Sequence, residues 1–506
     1  MSANLYAAFL ERQTPYADKV FLNWSDRLSL TYGDLPAAVG RYQAALVALG
    51  CRPGDRLIVQ AERSPAFIML YLACLAAGVI FIPLNTAYTP DELAYFIGDA
   101  EPRVVVGQAA TRAILETAAA GVEGARIVTI EGDGTGTLEQ QAAAATPLTS
   151  VHPSAVDDVA CILYTSGTTG RPKGAMLSHG NLSSNVAALT EAWRFSADDV
   201  LLHTLPLFHA HGLFVALQLC LWNGCTVLAL DKFEPNAVID ALPRASVFMG
   251  VPTFYTRLLA SGRLTREACR TMRLFVSGSA PLLPQTFDEF EAATGHRILE
   301  RYGMTETIMI TSNPYEMSGR KAGTVGYALP GIEVRIVDGD GKVVGDGVVG
   351  DLEVRGPNVL KGYWRKPEAT AQSFRPGDWF ITGDVAVAEA DGRVTLVGRS
   401  KDLIISGGYN VYPAEVESVL NDLPGIKESA VIGVPHPDFG EGVVAVLVAE
   451  DGATLDTAAI DAAIADKLAK FKRPKLYEVR AELPRNTMGK VLKAQLRQDL
   501  GKTFTA

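Results

Sequence analysis

The run Val159-Ala160-Cys161-Ile162-Leu163-Tyr164-Thr165-Ser166-Gly167-Thr168-Thr169-Gly170-Arg171-Pro172-Lys173-Gly174 organises the reading of this chain. Residues 159–164 are mostly apolar and read as a buried strand. The strand opens into a loop of hydroxyls, glycines and two cations, which is what a polyphosphate needs. Glycines let backbone N–H groups approach oxygens, hydroxyls donate further bonds, and Arg171 and Lys173 neutralise charge. The flanking sequence has the matching pattern. Short β-branched runs at 56–60, 79–83, 103–106, 246–249 and 274–276 alternate with helical segments, so parallel α/β sheets are expected. The Walker arrangement is not met: the Gly-Lys-Thr at 501–503 has Leu496 where the first glycine should stand.

The 506 residues carry 46 Lys+Arg against 56 Asp+Glu, a formal net charge of −10, and 48% are hydrophobic. That length supports roughly two to four domains. The acidic balance argues against a general nucleic-acid surface or attachment to anionic membranes, and the apolar content excludes wholesale disorder. Six cysteines (51, 74, 161, 220, 225 and 269) are scattered without a C-x-x-C pair and read as small buried residues in a reducing compartment. No basic region precedes a long apolar run at the start of the sequence, so a cytoplasmic protein is expected. Residues 67–84 are apolar enough to test as a membrane span, but Gly78 and Pro83 divide them into a helix over 64–77 and a strand over 79–84. The stretch 118–149 contains Gly-Asp-Gly-Thr-Gly-Thr at 132–137. This is a fragment of a Gly-rich loop with no apolar helix after it, and no ligand is expected there.

From about residue 333 the pattern becomes strand and turn, with hairpins expected at Asp340-Gly341 and Asp391-Gly392. After Gly398-Arg399 it changes again. Pro413 opens a helix with Val416, Val419, Leu420 and Leu423 on one face. Strands over 429–434 and 442–449 follow, then a helix with Ile460, Ile464 and Leu468 at fours. The expected architecture is a large α/β domain with a small β-barrel-like subdomain over 1–399, followed by a small α+β domain over 400–506.

The loop 164–174 resembles the signature of the adenylate-forming superfamily: acyl-CoA synthetases, peptide-synthetase adenylation domains and firefly-type luciferases. Ser279-Ala280-Pro281, Glu300-Arg301-Tyr302-Gly303-Met304-Thr305-Glu306, Thr382-Gly383-Asp384, Gly398-Arg399-Ser400-Lys401-Asp402 and Pro484-Arg485-Asn486-Thr487-Met488-Gly489-Lys490 follow in that family's order and at its spacing. The resemblance therefore spans essentially the whole length. It implies that a carboxylate attacks the α-phosphate of ATP, giving an acyl-adenylate and pyrophosphate, and that a thiol then displaces AMP. No enzyme nucleophile is needed, so positioning and charge neutralisation supply the catalysis.

By this resemblance Thr165, Ser166, Gly167, Thr168, Thr169, Gly170 and Lys173 hold the β- and γ-phosphates. Glu306 ligates Mg2+, a hard cation suited to oxygen ligands. Asp384 binds the ribose hydroxyls, with Arg399 assisting at ribose and phosphate. Ser279, Ala280, Pro281, Glu300, Arg301, Tyr302, Gly303, Met304 and Thr305 line the adenine pocket. Lys490 reaches the α-phosphate and the substrate carboxylate during adenylation. Lys401 is the hinge of a mobile C-terminal lid, and Ser406, Gly407, Gly408 and Tyr409 face the channel for the pantetheine arm of coenzyme A. Lys490, Glu306, Thr165 and His209 are the expected catalytic residues. Acylation of Lys490 by a lysine acylase, reversed by a deacylase, would remove its charge and stop adenylation.

Two segments address which acid is activated. Phe208-His209-Ala210-His211-Gly212 offers two histidines at i, i+2 without further ligands at metal spacing. By the resemblance it lines the acyl pocket, with His209 beside the reacting carboxylate and with Ser279 and Met309 nearby. The aspartate with which amino-acid-activating relatives pair an α-amino group is missing at the matching place. Val251-Pro252-Thr253-Phe254-Tyr255-Thr256-Arg257 is similar to the pocket segment of malonyl-CoA synthetases, whose arginine forks onto the second carboxylate of the diacid. Ala210 stands where some of these enzymes have threonine, and Ile308 and Ile310 flank Met309 where asparagines can occur. A slightly larger or less polar pocket follows, one open to methylmalonate. The expectation is an ATP-, Mg2+- and coenzyme A-dependent malonate ligase. The alternatives are a short- or medium-chain monocarboxylate ligase and a carrier-protein-loading adenylation enzyme. Residues 466–493, with nine Lys/Arg against three Asp/Glu, supply local positive charge for anionic substrates.

Overall fold

The computed structural model of the chain describes residues 3–165, 172–486 and 489–504. It divides into two compact units: residues 1–333 with 354–380, and residues 334–353 with 381–506. The segment around residue 400 therefore lies inside the second unit, where Ser400 Oγ donates to Asp351 (2.7 Å).

The alternation of β-branched runs and helices produces two mainly parallel sheets in the first unit. One orders Gly362–Tyr363, Lys173–Ser178, Val159–Thr165, Ile80–Pro83, Arg56–Val59, Val104–Gly107 and Arg126–Thr129. The other has nine strands, with Leu299–Tyr302, Leu274–Ser277, Val247–Gly250 and Val200–His203 consecutive in its middle. The expected strands match to within about one residue at most ends, because buried β-branched runs leave little freedom of register.

The 67–84 stretch forms a buried helix and strand. Ser64 Oγ caps the helix Pro65–Ala77 by accepting from Phe67 N (3.2 Å), and Gly78 ends it at φ +70°, where a Cβ would lie 2.5 Å from the His152 ring. Every residue from Ala66 to Ala76 is buried. Phe67 and Tyr71 pack against Phe81 of the following strand at centroid separations of 5.7 and 5.2 Å. Truncating one such ring to alanine costs about 3–5 kcal/mol. No described helix is long and apolar enough to cross a membrane. All six cysteines are buried free thiols.

A short helix, Thr137–Ala144, mostly polar and small in composition, follows the Gly-rich stretch at 132–137. Glu139 in its first turn accepts from the backbone N–H groups of Glu131 (2.8 Å), Gly132 (3.1 Å), Gly134 (3.3 Å) and Gly136 (2.9 Å). The amides that a phosphate would need are taken by the chain's own carboxylate.

In the second unit, the strand Trp379–Ala388 pairs antiparallel with Val394–Arg399 and places Asp384 opposite Arg399. A second sheet orders Tyr409–Val411, Ile404–Ser406, Gly440–Ala449 and Ile426–His436, with Leu476–Arg480 parallel to Gly440–Ala449. Its alternating side chains feed two cores. Val431, Val443, Ala445 and Leu447 pack with Val416 and Leu420 of the helix Pro413–Asn421, while Ile432, Val434, Val444 and Val446 pack with Leu483 and Leu496. The helix carrying Ile460 is shorter than its spacing suggests: it ends at Ala463, and Ile464 and Leu468 are buried beyond that end.

Candidate active site

The strand Val159–Thr165 and its partner Lys173–Ser178 are the two stems of the Gly-rich loop, with Thr165 opposite Lys173. Ser166, Gly167, Thr168, Thr169, Gly170 and Arg171 lie outside the described residues. Both stems are tied to the helix Pro90–Ala100. Tyr164 donates from its hydroxyl to Asp99 Oδ2 (2.8 Å), and Tyr95 donates to Pro172 O (2.7 Å). The Lys173 ammonium sits 4.8 Å from the centre of the Tyr363 ring, and the Tyr363 hydroxyl donates to Glu306 Oε1 (3.0 Å). Glu306 and Lys173 thus share one aromatic neighbour.

Among the described residues no group of three or more His, Cys, Asp and Glu could hold a metal. A lone carboxylate fits Mg2+ arriving on a nucleotide, which keeps several waters and takes phosphate oxygens with only one or two protein carboxylates. Glu306, near-buried with hard oxygen donors, suits that role and no softer ion.

Ser279 adopts φ +72°, a left-handed backbone uncommon outside glycine and frequent at functional turns. Its hydroxyl lies 3.3 Å from His211 Nδ1. Ala280 is half-buried and Pro281 exposed. Leu282 N donates to Glu300 Oε1 (3.0 Å), so the Glu300 carboxyl fixes the 279–282 turn. Burial pushes that carboxyl up to about 8. Glu300 and Arg301 are neighbours on the strand Leu299–Tyr302 and so point to opposite faces. The Arg301 guanidinium presses against Gly278, where a Cβ would meet it at 2.4 Å. It is buried, its Nε and Nη2 find no hydrogen-bond partner among the described residues, and burial lowers its pKa to about 9. Gly303, Met304 and Thr305 are half-buried beside the buried Tyr302.

The 208–212 segment leads into a π-helix, His211–Leu217, a form concentrated at functional sites. A Cβ on Gly212 would lie 2.1 Å from Pro206 O, so only glycine fits there. Burial first, and Arg301 second, bring His209 down to about 4 and hold His211 well below its usual value. His203 links the segment to the sheet. Arg63 Nη2 donates to its Nδ1 (2.9 Å), so the ring's proton sits on Nε2, which donates to Gly212 O (2.9 Å). Burial, then Arg63, takes His203 to about 3. All three imidazoles are neutral. Met309 is buried nearby in sequence to Glu306. Arg257, on the helix Pro252–Ala260, is exposed, with its guanidinium 4.9 Å from the centre of the Phe233 ring.

In the second unit Arg399 Nε bonds Asp384 Oδ1 (2.6 Å). Asn486 accepts at Oδ1 from Lys490 N (3.0 Å) and so closes the turn that carries Lys490; Thr487 and Met488 lie outside the described residues. Lys490 is at the surface, but its ammonium is drawn into partly desolvated surroundings. That desolvation first, and Arg399 second, lower its pKa, with Asp384 opposing. Desolvation lowers Lys401 as well, and its neighbour Asp402 is engaged by Arg497 (2.7 Å). Gly407 (φ +60°) and Gly408 (φ +82°) make the two-residue turn between Ile404–Ser406 and Tyr409–Val411. Ser406 is buried, whereas Tyr409 is exposed and stacks on Phe471 at 4.6 Å.

Sequence reasoning named most of these residues and missed the ones that hold them: Tyr95, Asp99, His203 and Tyr363. Tyr95, Asp99 and Tyr363 act on residues more than fifty positions away, and the nine-residue step from His203 to Gly212 matches no regular period, so their spacing carries no signal.

A Gly-rich loop sequence between two paired strands and a buried carboxylate at Glu306 accord with an AMP-forming acid–thiol ligase, which works with ATP, Mg2+ and coenzyme A, the class shown by its relatives. The chain belongs to the AMP-binding enzyme family, whose model matches residues 9–364, with the model of the AMP-binding enzyme C-terminal domain matching 415–490. A feruloyl-CoA synthase of Amycolatopsis sp is 37% identical, covering 94% of both chains. A malonate–CoA ligase of Arabidopsis thaliana is 36% identical over 89% of this chain and 79% of its own. The crystal structure of ATP-bound MatB from Rhodopseudomonas palustris is 50% identical over the whole of both chains, with a TM-score of 0.97.

Proposed function

We propose that this ligase activates malonate, or a close short dicarboxylate such as methylmalonate, and transfers it to coenzyme A with release of AMP and pyrophosphate. The observation that carries the reading is Arg301: assigned to the adenine pocket by resemblance, it is a buried cation with two N–H groups unsatisfied among the described residues, set against Gly278 and within electrostatic reach of His209 and His211, the pair expected in the acid pocket. A monocarboxylate spends its only charge at the reacting end. A diacid brings a second carboxylate able to satisfy such a cation, with Ser279, Met309 and Arg257 the other residues assigned to the acid by resemblance. The malonate–CoA ligase relative and the resemblance of residues 251–257 support the same choice.

In this reading Thr165, Lys173 and the loop 166–170 bind the ATP phosphates, and Glu306 holds Mg2+, which offsets phosphate charge when bound. Asp384 and Arg399 take the ribose, and Lys490 neutralises charge at the α-phosphate. His209, held neutral, adds no charge of its own beside the reacting carboxylate. Ser406–Tyr409 receive the pantetheine arm, Lys401 acts as hinge, and the lid as a functional domain begins near residue 400, within the second compact unit. The protein is cytoplasmic, and acylation of Lys490 would silence adenylation alone.

Pyrophosphate release over malonate, methylmalonate, propionate, benzoate, ferulate and an amino acid, with and without coenzyme A, tests the substrate. Malonate should lead by at least ~100-fold in kcat/KM, the scale of one charge-assisted pair. Arg257→Ala, if Arg257 forks onto the diacid, should reduce malonate use and spare propionate. Equal use of the whole panel would reject the diacid. The feruloyl-CoA synthase relative supports a second reading, an aromatic monocarboxylate, which ferulate or benzoate leading the panel would establish.

A further inference from the structure

Glu306 is followed by backbone that should not be comfortable. Ile308 sits at φ +59°, a left-handed conformation that is a genuine outlier for a β-branched residue. Gly303 across the turn has no room for a side chain, since a Cβ there would lie 1.9 Å from Ile308 O. A strained turn persists only where its surroundings over-determine it. Here they do so through a short, sequence-distant segment, residues 358–363.

Four contacts run from that segment to residues 306–309. Asn358 Nδ2 donates to Thr307 O (2.8 Å) and to Met309 O (3.0 Å), on either side of Ile308. Leu360 N donates to Glu306 O (2.8 Å). Tyr363 donates from its hydroxyl to Glu306 Oε1 (3.0 Å). A fifth contact comes from the helix His179–Ala192, where Asn185 Nδ2 donates to the same Met309 O (2.9 Å). Asn358 and Asn185 are fully buried, and each leaves its Oδ1 without a partner among the described residues. Their placement therefore serves the donors. The segment is itself anchored, because Gly362 and Tyr363 pair with Met176 and Ala175 of the strand that begins at Lys173.

We propose that Asn358 and Tyr363 are positioning residues for the metal-binding carboxylate: Asn358 holds the Ile308 turn in its strained form, and Tyr363 aims Glu306. The inference rests on the reading of Glu306 as the Mg2+ ligand. Partners that orient a ligating carboxylate are worth roughly 10–100-fold in metal affinity. The Lys173 ammonium over the same Tyr363 ring ties that aim to the stem of the phosphate loop.

The test uses the full chain carrying Tyr363→Phe, Asn358→Ala or, as reference, Glu306→Gln. The readouts are Mn2+ retained by the protein–ATP mixture, measured by electron paramagnetic resonance, the Mg2+ concentration giving half-maximal pyrophosphate release, and the KM of the acid. Tyr363→Phe and Asn358→Ala should each weaken Mn2+ retention and raise the half-saturating Mg2+ about 10-fold, with the KM of the acid within about 2-fold. Mn2+ held as tightly as by the unaltered protein, or an equal rise in the KM of the acid, overturns the inference. Should Asn358→Ala fail to fold, Tyr363→Phe, which removes a single hydroxyl, decides alone. If Glu306→Gln leaves the metal dependence unchanged, the reading of Glu306 itself falls. If Glu306→Gln weakens it and the other two do not, only the positioning role falls.

Discussion

Replacing Arg301 by methionine should make the ligand-free protein more stable and at the same time remove its preference for a diacid. Burial takes the guanidinium from 12.5 to about 9. At about 1.4 kcal/mol per tenfold, the charged form bears a net cost of roughly 4–5 kcal/mol, the desolvation that Tyr255 and Glu300 only partly offset. Methionine fills a similar volume, needs no partner and bends to fit. Replacing buried charge by apolar side chains commonly gains about 1–4 kcal/mol, a rise of a few degrees in Tm. With malonate present the sign reverses, since losing one member of a desolvated charge pair costs about 2–5 kcal/mol, or roughly 30- to several thousand-fold in kcat/KM. Propionate, with no distal carboxylate, should change by less than ~3-fold on the same argument. The assays are thermal melting without ligands and pyrophosphate release with each acid. A lower Tm, or malonate and propionate lost together, would refute the reasoning and make Arg301 a structural residue.

Glu300→Gln tests the neighbouring carboxyl. Its folded pKa, about 8, stands above the ordinary 4.5. Between those values the folded protein keeps a proton that the unfolded chain has released, so stability falls as pH rises across that window. The Gln variant, which keeps the acceptor for Leu282 N, should match the unaltered protein near pH 4.5 and exceed it by several kcal/mol near pH 8; a constant difference in urea titrations would contradict this. Asp384→Asn removes the carboxylate bonded to Arg399 at 2.6 Å and should raise the KM for ATP about 10-fold, with the KM for the acid little changed. Lys490→Gln should abolish pyrophosphate release yet leave thioester formation from added acyl-adenylate, and loss of both half-reactions would contradict its assignment.

The sheets and the 67–84 helix–strand unit were legible because burial on both faces writes itself into composition: an all-apolar run broken by Gly78 has few alternatives. At 132–137 no ligand is expected, but nothing local says that Glu139 will turn back and occupy four amides. Motif residues such as Glu306 and Asp384 could be named from resemblance, but not what their neighbours do to them. That Arg301 is buried without a counter-ion while Arg257 is exposed depends on which strand and helix faces meet, and both are simply arginines in the sequence. The Ile308 backbone is the extreme case. Its side chain argues for a β conformation, and long-range hydrogen bonds from Asn358 and Asn185 override it.

The contact between Arg63 and His203 has a consequence for proton inventory. A guanidinium never accepts a hydrogen bond, so it dictates which ring nitrogen of His203 is bare. With His209 and His211 also far from titration, no imidazole of the acid pocket exchanges a proton between about pH 5 and 7. Arg301 is then a constant charge, and Glu300 a constant neutral, over that range. The pocket behaves as an electrode held at fixed potential. Over that range the pH dependence of acid binding should follow mainly the ionisation of the incoming acid.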